Sequence, residues 1–183
     1  MAIGSTIYKV KLDVSNMNIH HYSNYNLTVA KHPSESEYRM IVRLFAFSIL
    51  CQHNLDLSND SSAGGGAEIS SKNFSGEFEQ WITLGEPDEK RVRQICSKAK
   101  NISIFTYHEA VAEEWFKKIE EKLWRFSNLN VIHLRTLEHT KLSDIVERGM
   151  NLSCLIDGPE IWLSTEKKRV GLSFEYVKKA KEK

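Results

Sequence analysis

Glu77, Glu79 and Trp81 alternate along the stretch GEFEQWITLGEPD, residues 76–88. At the two-residue period of a strand they project with Thr83 from one face, while Phe78, Gln80, Ile82 and Leu84 share the other. Two carboxylates beside an indole could hold a divalent cation, or could form a semi-buried ion-pair network with the ring packed over it. Upstream, Glu35, Arg39 and Arg43 fall four residues apart, and so on one face of a helix, either as a ladder of ion pairs or as the lining of a polar pocket. Arg43 is the anomaly. From Met40 to Cys51 the helix is apolar almost all round, interrupted only by Arg43 and Ser48, so this arginine needs a route to water or a partner carboxylate.

Other chemistries lack their motifs. The seven histidines form no HExxH pair and match no paired cysteine spacing; no GxSxG elbow is present, and no lysine follows Gly64-Gly65-Gly66 as a phosphate-binding loop requires. Cys51, Cys96 and Cys154 lie far apart in apolar surroundings, which reads as buried, reduced thiols. A net charge of +1 supplies no global attraction to nucleic acid, so any such role must come from local features.

The elements that must position these residues follow from periodicity. Residues 6–14 alternate with Tyr8, Val10, Leu12 and Val14 on one face, and residues 22–30 repeat the theme after turn-forming residues 15–18, a hairpin. Ser34 is placed to cap a helix over 34–52, with Glu37 closing a capping box. Residues 57–67 read as a glycine-rich loop, and 68–72 pair with the strand 77–84. Gly85 ends that strand; Pro87, Asp88 and Glu89 then open a helix striped by Val92, Ile95, Cys96 and Ala99. A strand at 101–107, a helix ending near Phe126, a strand at 129–134, a helix over 136–148 and a hairpin turning at Asp157-Gly158 complete the pattern. The sum is a single α/β domain with a mixed central sheet flanked by helices over residues 1–164, and residues 165–183 as a solvated basic C-terminal extension. No signal peptide or spanning helix is legible, so the expected location is the cytoplasm, with no membrane partner.

Glu68 on an incoming strand, the 76–88 stretch, and Lys31-His32-Pro33-Ser34-Glu35 with Arg39 and Arg43 together resemble the YaeQ family, from residues 5–8 through residues 161–164. That family's fold is a variant of the PD-(D/E)xK nuclease fold. In such nucleases an acid at the end of one strand and an acid on the next hold Mg²⁺, and a lysine two residues after the second acid orients the attacking water. The resemblance sets Glu68 and Glu79 as the two metal-holding acids, Glu35 as the helix acid, and Trp81 where the lysine would stand. An indole carries no cation, so Lys72 or Lys90 would have to supply one. The implied function is Mg²⁺-dependent hydrolysis of nucleic acid, with Glu35, Glu68 and Glu79 converging. The alternative is a non-catalytic module on a nuclease-derived scaffold that binds nucleic acid or a protein partner. In both, Trp81, Arg39, Arg43 and Glu77 would line the binding surface, with Trp81 as an aromatic wall.

Overall fold

The computed structural model describes residues 4–57, 66–137 and 141–181. It shows one α/β domain in which a large mixed sheet curls almost closed, with three helices among the described residues. The strands are β1 (Thr6–Asn16), β2 (His21–Lys31), β3 (Asp56–Leu57), β4 (Ile69–Lys72), β5 (Phe78–Leu84), β6 (Ala99–Thr106), β7 (Leu129–Thr136), β8 (Gly149–Asp157), β9 (Glu160–Ser164) and β10 (Arg169–Lys178); the helices are α1 (Glu37–Leu50), α2 (Glu89–Cys96) and α3 (Glu109–Leu123). The sheet order is β2-β1-β8-β9-β10-β7-β6-β5-β4-β3, and the two edges, β2 and β3, touch. β5, β6 and β7 run parallel, with α2 and α3 as their crossovers.

The alternating pattern of each strand divides the core in two. Tyr8, Val10, Leu12 and Val14 of β1, Ile82 and Leu84 of β5 and Phe105 of β6 enclose α1, whose residues from Met40 to Leu50 are all buried. This is why that helix is apolar almost all round. On the opposite face, Trp81, Ile102, Ile104, Leu129 and Val131 pack under Val92 and Ile95 of α2 and Leu123 of α3. Cys51, Cys96 and Cys154 are free thiols, as expected. Burial pushes Cys96 up to about 11 and Cys154 up to about 12, so both stay protonated.

Several expectations are corrected. The cap of α1 is Ser36, whose hydroxyl accepts from Arg39 N at 3.1 Å; the Ser34 hydroxyl is engaged instead by His32 Nδ1 at 2.6 Å. Glu35 therefore precedes the helix rather than riding on it. The helix expected over 136–148 is absent from its described part: β7 continues to Thr136, and a 3₁₀ turn over Leu142–Ile145 leads into extended Val146. Leu142 and Ile145, three residues apart, are buried in the core by that single turn. The glycine-rich loop lies mostly outside the described residues. Residues 165–183 were expected as an appendage, yet Arg169–Lys178 form β10 between β9 and β7, well inside the sheet. There the alternation of Val170, Leu172 and their neighbours outweighs the lysines that frame it.

Within β5 the alternation fails at one place. Ser71 faces Gln80 but Lys72 faces Phe78, so Glu79 is an extra residue against β4. The bulge turns Phe78 away from the face of Ile82 and Leu84, and its ring meets Trp81 edge-on at 4.9 Å. Trp81 itself is only 2 % exposed and packs in the α2–α3 core, not over an acidic pocket as its alternation with Glu79 suggested. Truncating it empties that core. Trp81→Ala is expected to cost about 3–5 kcal/mol, read as a shifted midpoint in urea unfolding; a loss below about 1 kcal/mol would contradict this placement.

Candidate functional site

The charged residues that gather do so at the carboxyl ends of β5, β6 and β7, where α1 begins. Glu68 comes just before β4 and stands beside the end of β5. Its Oε1 accepts from Leu84 N at 2.9 Å and from the Thr83 hydroxyl at 3.4 Å, continuing the ladder past the last strand residue. Gly85, with φ of 100°, lets the chain leave β5 at once while its N–H still bonds Phe105 O at 2.8 Å. Glu35 is fixed from the other side, its backbone oxygen accepting from Lys31 Nζ at 2.8 Å.

Arg39 joins these two acids. Its Nη1 lies 3.1 Å from Glu35 Oε1, and its Nη2 lies 2.8 Å from Glu68 Oε2. Arg43 lies deeper, 1 % exposed, with Nη2 donating to Glu35 Oε2 at 3.0 Å and to Ala30 O at 2.9 Å. The expected counter-charge is thus a buried pair. Burial pushes Arg43 below the usual arginine value, opposed by Glu35. For Arg39 burial works the same way, but the charge of Glu68, then of Tyr107 and Glu35, more than offsets it and raises the guanidinium's pKa.

Around Arg39 stands an aromatic group that the sequence reading missed. Tyr38, beside Arg39 in α1, reaches across the strand ends, its hydroxyl within 3.4 Å of Tyr107 O and 3.2 Å of Thr136 Oγ1. The rings of Tyr107 and His108 are 4.3 Å apart, and Tyr38 stacks on His108 at 6.2 Å. Burial raises the pKa of Tyr107, and nearby Arg39 opposes that. Glu86, in the loop after β5, is also raised by burial, against the pull of His108. The signal that could have found them is position: each follows or faces the end of a strand that reads as parallel, where α/β sheets hold ligands.

The remaining candidates lie elsewhere. Glu79 pairs with Lys100 Nζ at 2.6 Å, whereas Glu68 lies level with Thr83, four residues and about 13 Å further along the strand. Glu35, Glu68 and Glu79 therefore do not converge. Glu77 accepts from Asn73 Nδ2 at 2.8 Å in the β4–β5 turn. Lys72, at the far end of β4 from Glu68, holds its ammonium 4.6 Å over the Phe78 ring, and Lys90 is exposed on α2. No group of three or more His, Cys, Asp or Glu that could hold a metal occurs among the described residues. The donor set at Glu35 and Glu68 does not fit Mg²⁺ as it stands, for it offers two carboxylates, both already neutralised by guanidinium groups. A surface groove of about 560 Å³ lies elsewhere, lined by Lys11, Asp13, Asn24, Asn26, Asn151 and Ser153 on the outer face of β1, β2 and β8.

The buried pair makes a direct prediction. Glu35→Ala strands Arg43 among apolar neighbours and is expected to cost about 3–5 kcal/mol, while the double change Glu35→Leu with Arg43→Leu should recover most of it. Equilibrium unfolding of the three proteins checks this; equal stability of the single and double variants would sink it.

Comparison with known proteins adds lineage to this geometry. The family model described as "YaeQ protein" matches residues 1–174. The chain is 33% identical over 167 residues to "Uncharacterized protein YaeQ" of Escherichia coli (strain K12), covering 91% of this chain and 92% of that one. It is 33% identical over 164 residues to the protein of the same name from Salmonella typhi, covering 90% and 91%. Among solved structures, the YaeQ protein from Xanthomonas axonopodis pv. citri superposes with a TM-score of 0.88 at 30% identity, over 94% of this chain and 98% of that one. The YaeQ protein from Pseudomonas syringae shares the fold with a TM-score of 0.84 at 21% identity, over 96% and 97%.

Proposed function

The chain belongs to the YaeQ family, and we propose that it is a non-hydrolytic binding module on a PD-(D/E)xK-like scaffold, taking single-stranded nucleic acid at Arg39. The observation that carries this reading is the Arg39 guanidinium, 28% exposed, held by Glu35 and Glu68 next to the rings of Tyr38, Tyr107 and His108. A fixed guanidinium, its charge shared with Glu35 and Glu68, has N–H groups left to offer a phosphate oxygen beside aromatic faces that suit an unstacked base. Because Arg39 is already ordered by two carboxylates, little side-chain entropy remains to be lost when a phosphate arrives.

The acids of the nuclease pattern support the scaffold assignment only in part. Glu35 and Glu68 occupy one end of the β4–β5 pair, as the helix acid and first strand acid would. The second acid and the amino group that would activate water are not beside them, since Glu79 is bonded to Lys100 at the other end and Trp81 is turned into the core. With those groups displaced, the site keeps the means to hold a phosphodiester and lacks the means to cut it.

Fluorescence anisotropy with labelled single-stranded DNA and RNA tests the reading. Arg39→Ala and Tyr107→Ala are each expected to weaken binding about tenfold to a hundredfold, and incubation of the strands with the protein and Mg²⁺ or Mn²⁺ should leave them intact. Metal-dependent cleavage abolished by Glu68→Gln would replace this reading with the hydrolytic one. Unchanged affinity in both variants would remove Arg39 as the contact.

A further inference from the structure

On the opposite face of the sheet from α1, three cations meet one carboxylate. Glu89, in the first turn of α2, lies 2.9 Å from Arg93 Nη2, 3.0 Å from Lys122 Nζ and 2.6 Å from Arg125 Nη2. Bonds from Lys122 and then from Arg93 hold its carboxyl down at about 2. Glu89 can neutralise only one of its three partners. The three cations share this carboxylate along the α2–α3 seam, on side chains that are 47% to 65% exposed.

The end of the chain brings further cations to the same place. Lys178 is a buried staple: its ammonium donates to Phe126 O at 2.8 Å and Leu129 O at 2.7 Å, just past the end of α3, and lies 5.6 Å from the Trp124 ring. Lys181 N then donates to Ser127 O at 2.8 Å. Lys181, exposed, is thereby held beside the end of α3, whereas the Lys179 ammonium lies 5.5 Å from the Tyr176 ring, on the side of the α1 core. Aromatic rings are interleaved with the cations of the seam: Trp124 is 51% exposed, and the Arg125 guanidinium lies 4.8 Å over the Phe126 ring.

We propose that the seam formed by Arg93, Lys122, Trp124, Arg125 and Lys181 docks the phosphodiester backbone of single-stranded nucleic acid, with Trp124 stacking on a base. Cations alone would suit any polyanion. The exposed ring among them favours a polymer that offers flat faces as well as charge. The seam is separate from the Arg39 site and does not require it, for α1 packs against the other face of the sheet.

The test is anisotropy with fluorescein-labelled oligo(dT) and oligo(U) over a series of salt concentrations. The Lys122→Ala/Arg125→Ala variant is expected to bind about tenfold more weakly and to lower the magnitude of the log–log salt slope by about 1.4, two contacts at about 0.7 each on single strands. Lys181→Ala breaks no ion pair among the described residues and should lower the slope by about 0.7, one contact; Trp124→Ala should weaken binding with the slope kept. Parent affinity and slope in both charge variants, or a parent that binds neither oligonucleotide, would overturn the proposal. So would displacement of the oligonucleotide by polyglutamate at equal charge with Trp124→Ala silent, the result expected of a surface for acidic proteins. Loss of binding in Arg39→Ala alone overturns the seam and leaves the Arg39 site standing; loss in the seam variants alone does the reverse.

Discussion

The structure depends on how one buried guanidinium is satisfied. α1 fills the interior of a curled sheet, and Arg43 sits in the middle of it with almost no exposure. A charge in that position is tolerable only if the surrounding chain supplies a carboxylate and a carbonyl at fixed places. Glu35 and Ala30 do so, and their positions decide how the end of β2 passes into α1. Glu35 thus stands one residue ahead of the cap, and its second oxygen turns outward to Arg39. An internal solvation requirement thereby sets the geometry of a surface group.

That coupling explains why Arg39 is more ordered than a surface arginine usually is. Its two nitrogens are held from two directions, by Glu35 tied to the buried pair and by Glu68 tied to the backbone of β5. Both carboxylates are buried, so the pairs satisfy two buried acids and at the same time fix the guanidinium in one position. The aromatic neighbours come from the residues just beyond β6 and from α1 itself, so the same strand ends define both the charge and the rings.

Much of the architecture was legible in the residues. The alternation of Tyr8, Val10, Leu12 and Val14, the all-round apolarity of α1 and the break at Gly85 each have one physical cause, and each appears where it was expected. The demand of Arg43 for a carboxylate was equally visible. Two things were hidden. A bulge in β5 cannot be seen in a strand's own alternation, because it is a relation to the neighbouring strand; it moved Phe78, and the α2–α3 core then claimed Trp81. The register of β4 against β5 was hidden for the same reason. It places Glu68 level with Thr83 and not with Glu79, and so separates acids that look close in sequence. The aromatic group was missed because Tyr38, Tyr107 and His108 come from distant stretches that only the parallel strand order unites.

The place of β10 bears on how the chain reaches this state. β10, late in the sequence, is inserted between β9 and β7, where it bonds to both, rather than added at a rim. A nascent chain short of Arg169 therefore carries an open slot within its sheet, with the edges of β7 and β9 unpaired and the core under them uncovered. β10 can close on β9 as a local hairpin, but its other edge must find β7, far earlier in the sequence. Completion of the sheet must wait until β10 is available to pair with both. Until then the slot is a template for any extended segment that reaches it, and the interval between synthesis and closure is when this protein is most exposed to misassembly.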